Sequence, residues 1–176
     1  MSDSWLRNLR DAGDILRRAK SPNELAKALM PKGWLRRRVL NDGLPDSDAT
    51  TDAADAADAA KALRQLGNAL KAEAIGEDGR VDYGTLRKSK TFAELERTSR
   101  SLHLVDPVKL ASDEERIAFW TNLYNVLAIH GVIALDIRES VMERPSFFGV
   151  VAYRVGDYVV TLDEIENGIL RRNAPH

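Results

Sequence analysis

The sequence predicts a mainly α fold with a small β-hairpin (an α+β class), organised around one buried helix at about residues 113–135. Three observations predict it. The stretch Ile117–Leu135 carries no Asp, Glu, Lys or Arg in a chain whose residues are 30% charged. A helix of that length rises roughly 28 Å at ~1.5 Å per residue. Ser/Thr residues followed three positions later by Glu recur before apolar runs, as in Ser112–Glu115 and Thr161–Glu164, and this spacing marks helix starts. Two β-prone runs, Val150–Val155 and Tyr158–Thr161, flank Gly156-Asp157, a two-residue connection suited to a tight hairpin.

The 176 residues suffice for one medium domain with extensions, and the net charge of -1 gives no electrostatic pointer to nucleic acid. That balance hides an asymmetry. Residues 1–40 hold ten Lys/Arg against four Asp/Glu, whereas residues 41–60 hold six Asp and no base. There is no cysteine, which excludes a disulfide framework, a thiol nucleophile and a cysteine zinc site. His103, His130 and His176 are too scattered for a metal cluster, and no cofactor is expected. The first residues lack the apolar core and cleavage site of a secretory signal, so a cytoplasmic location is the default expectation.

In chain order, residues 1–40 read as a basic, amphipathic helical arm. Trp5, Leu6, Leu9, Ala12, Ile15 and Leu16 recur at helical spacing between arginines, a short helix follows over Asn23–Met30, and Trp34–Leu40 closes the arm. Such an arm fits a hairpin packed on the domain behind it or a helix lying on a membrane surface or a partner. Residues 41–51, rich in Asn, Asp, Gly, Pro, Ser and Thr, read as a linker, and 52–176 as the folded domain. Ala-Ala-Asp triplets open a helix carried on by Leu63, Leu66, Leu70 and Ala74 to about Ile75. Gly76–Gly79 reads as a turn without the alternating oxygen ligands of a calcium loop, and Arg80–Tyr83 as a short extended piece. Thr91 is expected to cap a helix from Phe92 to about Leu102, broken at Val105-Asp106-Pro107. Ser112 launches the central helix at Asp113, and Thr161 a last helix with Ile165, Ile169 and Leu170 on one face.

Phe119, Trp120, Leu123, Val126, Leu127, Ile129 and Ile133 spread right around the central helix, which predicts burial on every side. Internal Thr121, Asn122, Asn125 and His130, the acidic start and the lack of bracketing interfacial aromatics argue for protein rather than lipid around it. Asn122 and Asn125 lie about 60° apart and are expected to bond neighbouring backbone. Together with His130 they are the candidate site residues, although His130 sits two turns on and spacing identifies no nucleophile beside it. No nucleophile elbow, phosphate-cradling glycine loop or metal motif occurs.

Glu115–Asn125 with His130-Gly131, the segment Asp163–Arg171 and the lead-in Gly79–Tyr83 together resemble the domain of unknown function 547 family, over roughly residues 60–176. The resemblance implies a largely uncharacterised domain of suspected remote papain-like ancestry, whose members continue into a cysteine-containing segment. This chain ends before one. It also carries Thr121 where an apolar residue is usual and Asn167 where histidine is common. A truncated product, half of a split gene or a degenerate member is therefore expected. The first functional expectation is a non-catalytic binding or scaffold module with a protein partner or self-association. The alternative is a hydrolase or transferase completed by a missing half, and a third is a peripheral membrane protein acting through residues 1–40.

Overall fold

The computed structural model describes residues 36–45, 56–74, 83–138, 140–144 and 146–171. Most of the basic arm, including Trp5 and Trp34, lies outside these residues, as do Gly76–Gly79 and residues 46–55 of the acidic stretch. The order of elements is β1 (Arg38–Val39), α1 (Ala56–Ala74), α2 (Tyr83–Leu86), α3 (Lys90–Ser101), α4 (Asp113–Ala134), α5 (Phe147–Val150), β2 (Val151–Val155), β3 (Tyr158–Thr161) and a π-helix (Glu164–Leu170). Three short 3₁₀ turns, at Leu102–Leu104, Pro107–Lys109 and Val141–Glu143, join them. The architecture is mainly α with a small three-stranded sheet.

Helix α4 is the centre, packed by α1, α2, β2 and the π-helix. Its partner α1 buries Ala56, Ala60, Leu63, Gly67, Leu70 and Ala74, which recur every three or four residues and so form one stripe. The small residues in that stripe let the two helices approach closely, and a Cβ at Gly67 would come within 3.2 Å of Val126. Phe119, Leu123, Val126, Leu127 and Ile133 of α4 are essentially inaccessible to solvent. By length and composition α4 could cross a membrane, yet half of its apolar window is buried inside the fold.

The predicted all-round burial of α4 fails over its first half. Ile117 is 58% exposed, and Ala118, Thr121 and Asn125 are exposed with it. At 100° per residue these four fall within one sector. Apolarity around the whole circumference does not decide which sector the neighbours cover, because contacts from elsewhere in the chain do. Thr121, which departs from the resembled pattern, therefore faces solvent and costs nothing in the core.

Two helix starts form as predicted and one shifts. The Ser112 hydroxyl accepts from Glu115 N–H at 3.1 Å, although the Glu115 carboxylate reaches back to Ala111 N–H rather than to the cap residue itself. Thr161 and Glu164 make the full reciprocal box, with N–H to side-chain oxygen distances of 2.9 and 3.3 Å. The helix opened by this box is a π-helix, closed by Arg171 N–H donating to Glu166 O five residues back, rather than the α-helix expected. At α3 the cap is Ser89, not Thr91. Ser89 accepts from Phe92 N–H at 3.0 Å and the helix begins at Lys90, while the Thr91 hydroxyl instead bonds Glu73 on α1. Tyr83 opens α2 instead of ending an extended piece.

The hairpin forms in the expected register, with Val155 opposite Tyr158 and Ala152 opposite Thr161. Gly156 has φ +54, and a Cβ there would meet Val105 O at 2.7 Å, so only glycine fits. The sheet is larger than a hairpin. Arg38 and Val39, assigned by sequence to a helical arm, pair in parallel with Val151 and Ala152, and Leu40 N–H continues the ladder to Ala152 O at 2.9 Å. Asn41, assigned to the linker, is 1% exposed. The boundary between arm and domain at residue 40 thus moves: Arg38–Leu40 pair with the domain's sheet, and Asn41 is buried against it.

Candidate functional site

The three residues singled out by sequence do not converge. Asn122 is half-buried and donates through Nδ2 to Ala60 O of α1 at 3.3 Å, a backbone bond of the expected kind. Asn125 is exposed. His130 is 3% exposed and belongs to a separate internal polar group.

That group joins four elements. His130 Nδ1 and the Tyr153 hydroxyl of β2 share a hydrogen bond of 2.7 Å, and Phe92 of α3 packs edge-on against the imidazole with ring centroids 5.3 Å apart. Ser99 of α3 hydrogen-bonds the Tyr153 hydroxyl and donates to Glu96 O at 2.8 Å. Asn41 lies behind Ser99, donating to Ser99 O at 2.7 Å and to Arg154 O at 2.9 Å. Its own Oδ1 accepts from Arg154 N–H at 2.8 Å. The side-chain amide thereby extends the β1–β2 ladder past the end of β1.

Burial governs the protonation of this group. It lowers the His130 pKa to about 4, helped by the positive charge of Arg38, so the imidazole is neutral near pH 7. Burial likewise raises the Tyr153 hydroxyl well above its ordinary value. A neutral imidazole sealed between Phe92 and Tyr153 orders the core.

A second polar group links α4 to the π-helix. The Tyr124 hydroxyl donates to Glu166 at 3.1 Å, and Glu166 pairs with Arg171 at 2.8 Å. Partial burial, then the hydrogen bond and charge of Glu166, push the Tyr124 pKa up to about 12. Asn167 sits partly exposed on the same π-helix.

The third feature is a cavity of about 280 Å³ at the C-terminal end of α4, against α2. Val132, Ile133 and Ile137 line its apolar side, and Tyr83, Arg87 and Arg138 its polar side. Asp136 stands at its edge in the left-handed conformation, φ 53, the only positive φ among the described non-glycine residues. The helix ends there in a Schellman motif: Asp136 N–H returns to Ile133 O and Ile137 N–H to Val132 O. The Asp136 carboxylate lies 3.8 Å from the Arg87 guanidinium and 3.0 Å from that of Arg138.

Sequence reasoning reached His130 and Asn122 through their polarity within an apolar run. It missed Asn41, Ser99 and Tyr153, and the Arg87, Asp136 and Arg138 group, because residues so far apart in sequence carry no shared spacing. The turn after α4 was visible only as the end of an apolar stretch. Among the described residues no three His, Cys, Asp or Glu side chains are placed to hold a metal ion.

Comparison with curated proteins and with solved structures finds no match. A family model does match, beginning later than the resemblance read from sequence, which ran from about residue 60. Residues 108–176, from the turn before α4 through the hairpin and π-helix, match part of the family described as protein of unknown function, DUF547.

Proposed function

We propose that the described domain is a non-catalytic binding or scaffold module whose contact surface is the uncovered sector of α4. The observation that carries this reading is the contrast along that one helix. Ile117, Ala118, Thr121 and Asn125 face solvent, whereas His130, the one histidine on it, is sealed in the core. A general base must come within hydrogen-bond reach of the proton it takes, and Phe92 and Tyr153 occupy that space. An apolar residue of the size of Ile117 left open beside small side chains allows another helix to approach.

The occupant tested first is a second copy of the chain. Light scattering across a concentration series should show self-association, and Ile117→Glu should abolish it while leaving the far-UV circular dichroism spectrum unchanged. A monomer at every concentration that also fails to bind an apolar dye would overturn the reading.

A further inference from the structure

We propose that the cavity at the C-terminal end of α4 is a binding site for a small monocarboxylate with a compact apolar body. Its volume of about 280 Å³ lies just below the ~300–1,000 Å³ range of small-molecule pockets, which excludes a large ligand. Val132, Ile133 and Ile137 supply an apolar side, and Tyr83 with the two guanidinium groups supplies hydrogen-bond donors along the other.

Arginines near a helix C-terminus complement its dipole. That explains Arg87, which donates to Ile133 O at the end of α4. It does not explain Arg138, whose guanidinium turns to Asp136 rather than to a helix carbonyl. Each guanidinium has five donors in a fixed fork. Among the described residues Arg138 meets only Asp136, and Arg87 meets Ile133 O and Asp136, so both keep donors to offer.

The charge balance selects the ligand. Among the described residues, two guanidinium groups stand against one carboxylate and the partial negative charge of the α4 C-terminus, which leaves no more than a single positive charge at the rim, suited to a monoanion, and Asp136 repels a second negative charge. The planar fork of arginine matches a carboxylate, and the apolar side accommodates its body. Asp136 itself occupies a backbone conformation in which glycine would be more stable. A carboxylate held there at a cost is a built-in competitor that occupies the arginines until a ligand carboxylate displaces it. This inference is independent of the self-association of α4, since the cavity lies at the opposite end of that helix from Ile117.

The test uses the full chain, labelled with ¹⁵N, titrated with benzoate, 3-methylbutanoate, benzamide and inorganic phosphate. Benzoate or 3-methylbutanoate should give saturable shifts at the amides of Val132, Ile137 and Arg138, and benzamide should not. Arg138→Glu should weaken binding about tenfold or more, since it removes a charge-assisted pair and adds repulsion. Asp136→Asn, which tolerates the same backbone conformation, should tighten it several-fold by removing the competitor. Lack of saturation by either carboxylate up to about 20 mM would overturn the proposal, being weaker than any useful affinity. So would equal binding by benzamide or phosphate, or an Arg138→Glu variant that binds as well as the parent.

Discussion

The side-chain amide of Asn41 both donates to and accepts from the backbone of Arg154, 113 residues away, and so stands in for one more residue of strand pairing. A third bond, to Ser99 O, ties the same amide to α3. One residue thus fastens β1, the sheet and a helix together in a place that water does not reach. Replacing Asn41 with leucine would leave both Arg154 backbone groups without partners, while Ser99 O keeps the Leu102 N–H. Each orphaned buried group costs roughly 1–3 kcal/mol, so a loss on the order of 3 kcal/mol is expected in urea unfolding. A loss under about 1 kcal/mol would mean that water replaces the amide.

His130 makes stability depend on pH. Its folded pKa of about 4 lies below the ordinary 6.5, so between these values the unfolded chain binds the proton and the folded chain does not. Stability is therefore full above about pH 6.5, falls as the pH drops toward 4, and loses nothing more from this group below that. The shift corresponds to roughly 3 kcal/mol across the window. Urea midpoints measured from pH 7.5 down to 4 should decline, and ¹H NMR of the imidazole should show no titration near 6.5. An imidazole titrating normally would show that the ring is reached by water.

Gly131 lets α4 lie against the sheet. A Cβ there would sit 2.8 Å from Val151 Cγ1 and 3.1 Å from the Phe147 ring, closer than side chains tolerate. Alanine favours a helix over glycine by about 1 kcal/mol, while overpacking a core costs about 1–3 kcal/mol. Gly131→Ala should therefore destabilise by about 1 kcal/mol, read as a lower melting temperature. A gain in stability would show that β2 and Phe147 yield freely.

Asp136→Gly tests the helix end from the opposite direction. It relieves the left-handed backbone and removes two exposed ion pairs, each contributing under about 1 kcal/mol. The expected net effect is stabilisation of about 0.5–1 kcal/mol, because glycine carries no steric penalty at that position. Destabilisation in thermal unfolding would show that the carboxylate holds the end of α4 in place.

By itself, the sequence determined the elements whose causes are local. Ser112 and Thr161 announced their helices because a cap and its glutamate lie three residues apart. Gly156-Asp157 announced the hairpin because a two-residue connection containing glycine suits the tight turns that join two such strands. The apolar run announced α4, since a long charge-free stretch loses most by staying wholly in water. Tertiary structure alone decided that Arg38–Leu40 join the sheet, that Ile117 stays uncovered, and that Arg87 and Arg138 meet at Asp136. The physical reason is that partners dozens of residues apart are chosen by how whole elements pack. Asn41 in a run of turn-forming residues looks like any linker residue until Ser99 and Arg154 arrive to take its hydrogen bonds.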